Sequence, residues 1–260
     1  MPALFGRRNA LPPGFRQMHW RSRALGKRMA FLLHLPDTEK QEPGRRYPVL
    51  YLLHGSGHDG RSVMEQVQPQ AALRELGAAL LVIPDGDQGW WVDSPLVPRS
   101  RYGEYLLELV SWVDGHYPTR TDPGARGLCG FSMGGYGAML LAGQHPHLFG
   151  AASSLLGPLD IGQLFPDYHR LRLLLGAELS TWQQYNPRQS TANLQDTALW
   201  FCTGEDAFDR PHNDAFASAL RAQGIPFTYQ VHPGGHDTSF VREHVQACFA
   251  FHRCQFDAGR

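Results

Sequence analysis

The sequence predicts an α/β fold, a mostly parallel sheet with helices on both faces. Three observations lead there. Short apolar runs of strand length alternate with longer stretches whose apolar residues recur at helical spacing, the pattern of strand–helix–strand units. The predicted strands end in turns bearing Gly, Pro, Asp or His, and in such sheets function gathers at the carboxyl ends of the strands. The length, 260 residues with 42% hydrophobic, suits one large domain over 1–260, and no repeat, low-complexity tract or linker divides it.

Residues 18–22 and 28–35 read as two antiparallel strands joined at Leu25-Gly26-Lys27. After a polar turn over 36–46, residues 47–53 form a solid apolar strand ending at His54-Gly55-Ser56-Gly57. A helix is expected over 63–76, then a strand over 80–83 stopped by Pro84-Asp85-Gly86. Tyr105, Leu106, Leu109, Val110 and Val113 give 102–113 a helical face. Residues 126–129 read as a short buried strand and 135–142 as a helix packed closely on it. Further strands fall at 149–156, 199–203 and 227–231, with helices at 215–223 and 240–251. Residues 159–186 break the alternation and are either a small cap over the site or a plain helical excursion.

Charge sets limits. The 24 basic and 24 acidic residues sum to a formal +0, which argues against electrostatic nucleic-acid binding. No run approaches the roughly 20 apolar residues of a membrane span. Residues 1–16 carry Arg7 and Arg8 without an apolar stretch behind them, so no secretory signal is expected. Cys129, Cys202, Cys248 and Cys254 are scattered, fitting neither a disulfide framework nor a zinc site. Buried free thiols suit a reducing cytoplasm. Whether the chain is a monomer or a homo-oligomer stays open.

Gly130-Phe131-Ser132-Met133-Gly134 carries the most chemistry. A serine on a sharp strand-to-helix turn is lifted above the sheet, while flanking glycines let neighbouring backbone pass close by. The bland alternative is a glycine-rich turn whose serine only caps a helix. What separates the two is company. A serine hydroxyl needs a base, and the base an orienting carboxylate, in the chain order Ser, acid, His for this arrangement. Downstream, the strand 199–203 runs into Gly204-Glu205-Asp206, and the strand at 227–231 into Pro233-Gly234-Gly235-His236-Asp237. Asp206 and His236 are the expected acid and base. Asp209, beside Arg210 and Pro211 at a helix start, has a sufficient reading as a cap.

Acyl transfer also needs two preorganised N–H donors for the tetrahedral oxyanion. The amide of Met133 and that of Ser56 are the candidates, with His54 shaping the latter loop by a hydrogen bond. His54, His58 and Asp59 lie close in sequence but lack a coherent ligand set, so no metal is expected. Trp90 and Trp91 suit either a pocket wall or packing under a loop; Trp91 is assigned to the substrate pocket.

These motifs, with Gly89-Trp90-Trp91-Val92-Asp93-Ser94-Pro95 and Gly204-Glu205-Asp206-Ala207-Phe208, resemble in order and spacing the esterase D-like family of α/β-hydrolases. That family includes S-formylglutathione hydrolases, carboxylesterases, feruloyl and acetylxylan esterases, and mycolyltransferases. The resemblance covers nearly the whole chain. It implies an α/β-hydrolase fold with an antiparallel opening hairpin, a Ser132–His236–Asp206 triad, an oxyanion hole at Ser56 and Met133, and no cofactor. The early loop lacks the Thr-Cys pair associated with formylglutathione hydrolases, which counts against that one substrate. The expected activity is a serine carboxylesterase for small ester substrates, with thioesters as an extension, carrying short acyl groups. The rivals are a feruloyl- or acetylxylan-type esterase or an S-formylglutathione hydrolase, an acyltransferase, and a non-catalytic binding protein on the same fold.

Overall fold

The computed structural model describes residues 10–36 and 44–259. The expected polar turn at 36–46 and the charged N-terminal stretch at 1–16 lie largely outside them. The strands are β1 (Phe15–Arg21), β2 (Arg28–His34), β3 (Val49–Leu53), β4 (Leu80–Pro84), β5 (Arg126–Phe131), β6 (Ala151–Leu155), β7 (Ala198–Gly204) and β8 (Thr228–His232). Among the described residues they form one sheet in the order β1-β2-β4-β3-β5-β6-β7-β8. Pairing is antiparallel at β1–β2 and β2–β4 and parallel at each later step. This is the expected mostly parallel α/β-hydrolase sheet with an antiparallel opening hairpin. Every residue of β3 and β4 is buried, which explains their unbroken apolar runs.

The helices are α1 (Gly60–Gln66), α2 (Leu73–Leu76), α3 (Tyr102–His116), α4 (Met133–Gln144), α5 (His169–Leu175), α6 (Leu179–Gln184), α7 (Arg210–Ala222) and α8 (Thr238–Ala258). The sheet divides the core into two layers. One holds buried residues of α3, α4, α5, α6 and α7, the other those of α1, α2 and α8. No helix among the described residues is long and apolar enough to cross a membrane.

The single helix expected over 63–76 is two helices. Asp59 and Ser62 form a reciprocal cap that starts α1 early. Gln68 then takes a left-handed conformation, and Pro69 opens a short 3₁₀ turn before α2. Proline lacks the N–H and disfavours helix in the residue before it. The segment 159–186 folds as α5 and α6 with irregular flanks and is seated on the loop 86–100 and on α4. Ser94 Oγ donates to the Leu174 carbonyl at 2.6 Å, and Tyr136 Oη to that of Tyr185 at 2.7 Å.

Candidate active site

Ser132 sits between β5 and α4 with φ 53° and ψ −121°, a conformation non-glycine residues seldom adopt. Backbone bonds over-determine it. Its N–H donates to the Leu155 carbonyl at 2.9 Å, and its carbonyl accepts the Tyr136 N–H at 3.0 Å. The glycines are obligatory: a Cβ on Gly134 would stand 2.0 Å from the Leu53 carbonyl oxygen, and one on Gly130 would stand 2.3 Å from that of Gly134. The helix starts jammed against two strand ends, so the hydroxyl projects above the sheet.

His236 reaches Ser132 from the loop between β8 and α8. Its Nε2 lies 2.8 Å from Ser132 Oγ, and its Nδ1 lies 2.6 Å from Asp209 Oδ1. Asp209 is wholly buried, and its Oδ2 accepts Thr203 Oγ1–H at 2.7 Å and Asn213 Nδ2–H at 2.9 Å. A carboxylate only accepts, so Nδ1 carries the ring proton and Nε2 offers a lone pair to the serine hydroxyl. The arrangement can withdraw the serine proton during attack on an acyl carbon.

The geometry does not bring the expected acid, Asp206, to His236: the carboxylate at Nδ1 is that of Asp209. The β7–β8 pairing continues past the strand ends: Glu205 N–H donates to the His232 carbonyl at 2.8 Å and Asp206 N–H to that of Gly234 at 3.0 Å. These bonds hold Asp206 at an exposed turn, and the chain needs three more residues to reach the imidazole. Asp209 does begin a helix, as its neighbours implied, but its side chain makes no capping bond.

Ser56 and Met133 are brought together, with Ser56 Oγ 3.5 Å from Met133 Sδ. Met133 is the first residue of α4, so its amide has no intrahelical acceptor. The Ser56 amide is aimed indirectly. The Gly55 carbonyl is held by His54 Nδ1 at 2.8 Å and by the His58 N–H at 3.2 Å. In a trans peptide the N–H points opposite to that carbonyl, so fixing one aims the other. His54 is fully buried, and its Nε2 accepts the Gly86 N–H at 2.7 Å. Burial pushes its pKa down to about 4, so the ring is neutral and donates through Nδ1.

A cavity of about 140 Å³ opens at Ser132 and His236, walled by Phe131, Leu156, Val241, Thr238 and His58. No residue of 159–186 lines it. A wider depression of about 600 Å³ beside Trp20 and Trp112 holds no nucleophile–base pair. Trp91 is also corrected: it is wholly buried and lines no part of the cavity. Gly137 of α4 presses on it so closely that a Cβ there would lie 2.6 Å from the Trp91 side chain. It is core, packed edge-on to His54. Sequence reasoning does not single out two residues that meet His236 here, Asp209 at its Nδ1 and Phe208 at its ring. Asp209 at a helix start has a sufficient reading as a cap, and Phe208 shows in the sequence only as the last residue of the Gly204-to-Phe208 motif.

The scattered cysteines are unpaired, yet Cys129, Cys248 and His252 converge, their ligand atoms within 4.8 Å of one another. Ser153 Oγ bridges His252 Nε2 at 2.7 Å and Cys248 Sγ at 3.0 Å. Burial pushes the Cys129 thiol up; burial also opposes ionisation of Cys248, but hydrogen bonds from Cys129 and His252 pull it the other way, below the ordinary thiol value. This cluster shares no residue with the cavity at Ser132.

Residues 22–251 match the Esterase family. Esterase Rv1288 of Mycobacterium tuberculosis is 31% identical over 263 aligned residues, which cover 88% of this chain and 57% of that one. The chain thus spans little more than half the length of that relative. The S-formylglutathione hydrolase of Paracoccus denitrificans is 23% identical, covering 86% of this chain and 89% of its own. Among solved structures, the Staphylococcus aureus serine hydrolase FphF superposes with a TM-score of 0.82 at 19% identity, over 92% of this chain and 98% of that one.

Proposed function

We propose, since this chain belongs to the Esterase family, that it is a serine hydrolase of carboxylic esters with short acyl groups, acting through an acyl-enzyme. The observation that carries this reading is the unbroken relay Ser132 Oγ–His236 Nε2, His236 Nδ1–Asp209 Oδ1. In the proposed mechanism His236 takes the proton as Ser132 Oγ attacks the carbonyl carbon. The Ser56 and Met133 amides receive the oxyanion, and Asp209 holds the tautomer and steadies the imidazolium. His236 then protonates the departing alcohol oxygen. Water repeats the sequence on acyl-Ser132 and releases the acid. Thioesters fall within the same chemistry, the alcohol being replaced by a thiol. Ser132, His236, Asp209 and the Ser56 and Met133 amides are the protein groups these steps use, and water is the second substrate. Four unpaired thiols, three of them buried, support a cytoplasmic setting.

The test is a fluorophosphonate probe, which bonds covalently to an activated serine. Wild type should be labelled and Ser132→Ala should not, with hydrolysis of p-nitrophenyl acetate lost in parallel. Labelling that survives the substitution overturns the assignment.

A further inference from the structure

Phe208 leaves 52% of its surface exposed, although it is flanked in sequence by two buried residues, Ala207 and Asp209. Its ring lies 4.5 Å from the His236 ring, centroid to centroid, tilted by 36°. Asp209 cannot shift without breaking its bonds to His236, Thr203 and Asn213, so the adjoining Phe208 backbone is pinned beside the imidazole. Phe208 is not among the walls of the 140 Å³ cavity. The imidazole therefore has two distinct surroundings: a small concave one walled by Phe131, Leu156 and Val241, and a face outside it carrying a solvent-facing aromatic ring.

The proposed ester hydrolysis assigns these surroundings to the two halves of an ester, and any role for Phe208 rests on that reaction. Once protonated by Ser132, Nε2 must hand its proton to the leaving oxygen, so the alcohol has to pass within hydrogen-bond reach of the imidazole. The alcohol departs while the acyl group stays on Ser132 until water arrives. A walled pocket of about 140 Å³ suits the half that stays, and the face outside it suits the half that leaves. An aromatic ring held in water gains by covering itself with an apolar partner. We propose that Phe208 is the platform for the alcohol half of the substrate. The preferred substrates are then short-acyl esters of alcohols with an apolar or aromatic body.

The test compares kcat/KM for methyl, benzyl and 2-naphthylmethyl acetate in wild type and in Phe208→Ala. The three share one acetyl-enzyme and have leaving groups of similar chemistry. Loss of a favourable ring contact should lower the benzyl-to-methyl and naphthylmethyl-to-methyl ratios by about 3- to 10-fold. Phe208→Tyr, which keeps the ring face, should restore most of them. A parallel series of methyl esters with growing acyl groups should keep its profile. Equal loss on all three acetates would make Phe208 a positioning residue for His236, and a changed acyl profile would put it on the wrong half; either result overturns the proposal. Fluorophosphonate labelling of both proteins keeps the two readings apart. Labelled proteins with unaltered ratios sink the platform alone, whereas failure to label wild type sinks the reaction beneath it.

Discussion

Asp209 Oδ1 lies 2.6 Å from His236 Nδ1 although the backbone of Asp209 begins α7, its carbonyl accepting the Asn213 N–H at 3.0 Å. One residue thus fixes both the start of a helix and the orientation of the base. Asn213, one turn on, returns to the Asp209 carboxylate at 2.9 Å, so α7 itself supports the relay. Displacing the first turn of α7 would move the imidazole partner with it.

Asp209→Asn should therefore cut kcat by up to about four orders of magnitude, because an amide can donate to Nδ1 and so favours the wrong tautomer. Asp206→Asn, at an exposed turn, should stay within about threefold of wild type. Steady-state kinetics on p-nitrophenyl butyrate, with circular dichroism to show that both variants fold, decides it. The reverse pattern would return the acid to Asp206.

The Asp209 outcome illustrates what the chain discloses and what it hides. β3, β4 and the elbow were legible because burial on both faces leaves an unbroken apolar run, and because a sharp turn against two strand ends demands glycine at Gly130 and Gly134. The acid was legible only to within three residues. Strand alternation says nothing about a turn whose backbone goes on pairing with 232–234, as Glu205 and Asp206 do. Trp91 is core rather than pocket wall, and the sequence does not separate the two because a tryptophan in a loop looks the same whether a glycine of a later helix buries it or a ligand does. That glycine, Gly137, is 46 residues on, and only the tertiary structure joins the two. Phe208 had no periodicity to betray it.

The 140 Å³ cavity should limit the acyl half. Acetyl and butyryl p-nitrophenyl esters should exceed octanoyl in kcat/KM, and Val241→Ala, which removes two methyl carbons from the wall, should shift the optimum toward longer chains. An octanoyl ester turned over fastest by wild type would contradict this.

Gly55→Ala probes the proposed oxyanion loop. A Cβ there would lie 2.8 Å from the Phe131 ring and 3.2 Å from Ser132 Cβ, so the loop must retreat and carry the Ser56 amide away. Loss of one such donor costs about 10² to 10³ in kcat. The variant should lose about 10²-fold in kcat with little change in KM. A raised KM with kcat unchanged would mean that the Ser56 amide does not serve the transition state.

His54 should make the protein acid-sensitive in a defined window. Burial holds its folded pKa at about 4, below its ordinary 6.5. Between those values the unfolded chain binds a proton that the folded chain refuses, so stability is complete above pH 6.5 and falls as the pH drops toward 4. The difference amounts to about 3 kcal/mol at the acid end. Asp85 acts in the opposite sense. Burial raises its pKa to about 6, so its contribution is present at low pH and lost as the pH rises through 6. Subtracting a variant separates the two. His54→Gln removes the His54 titration and keeps that of Asp85, so the gap in unfolding free energy between wild type and variant should be widest at pH 7.5 and shrink steadily to pH 4.5. Urea titrations at four pH values measure it. A gap that stays constant would show that His54 is protonated equally in both states, and that the clasp from Gly55 through His54 to Gly86 does not depend on a neutral ring.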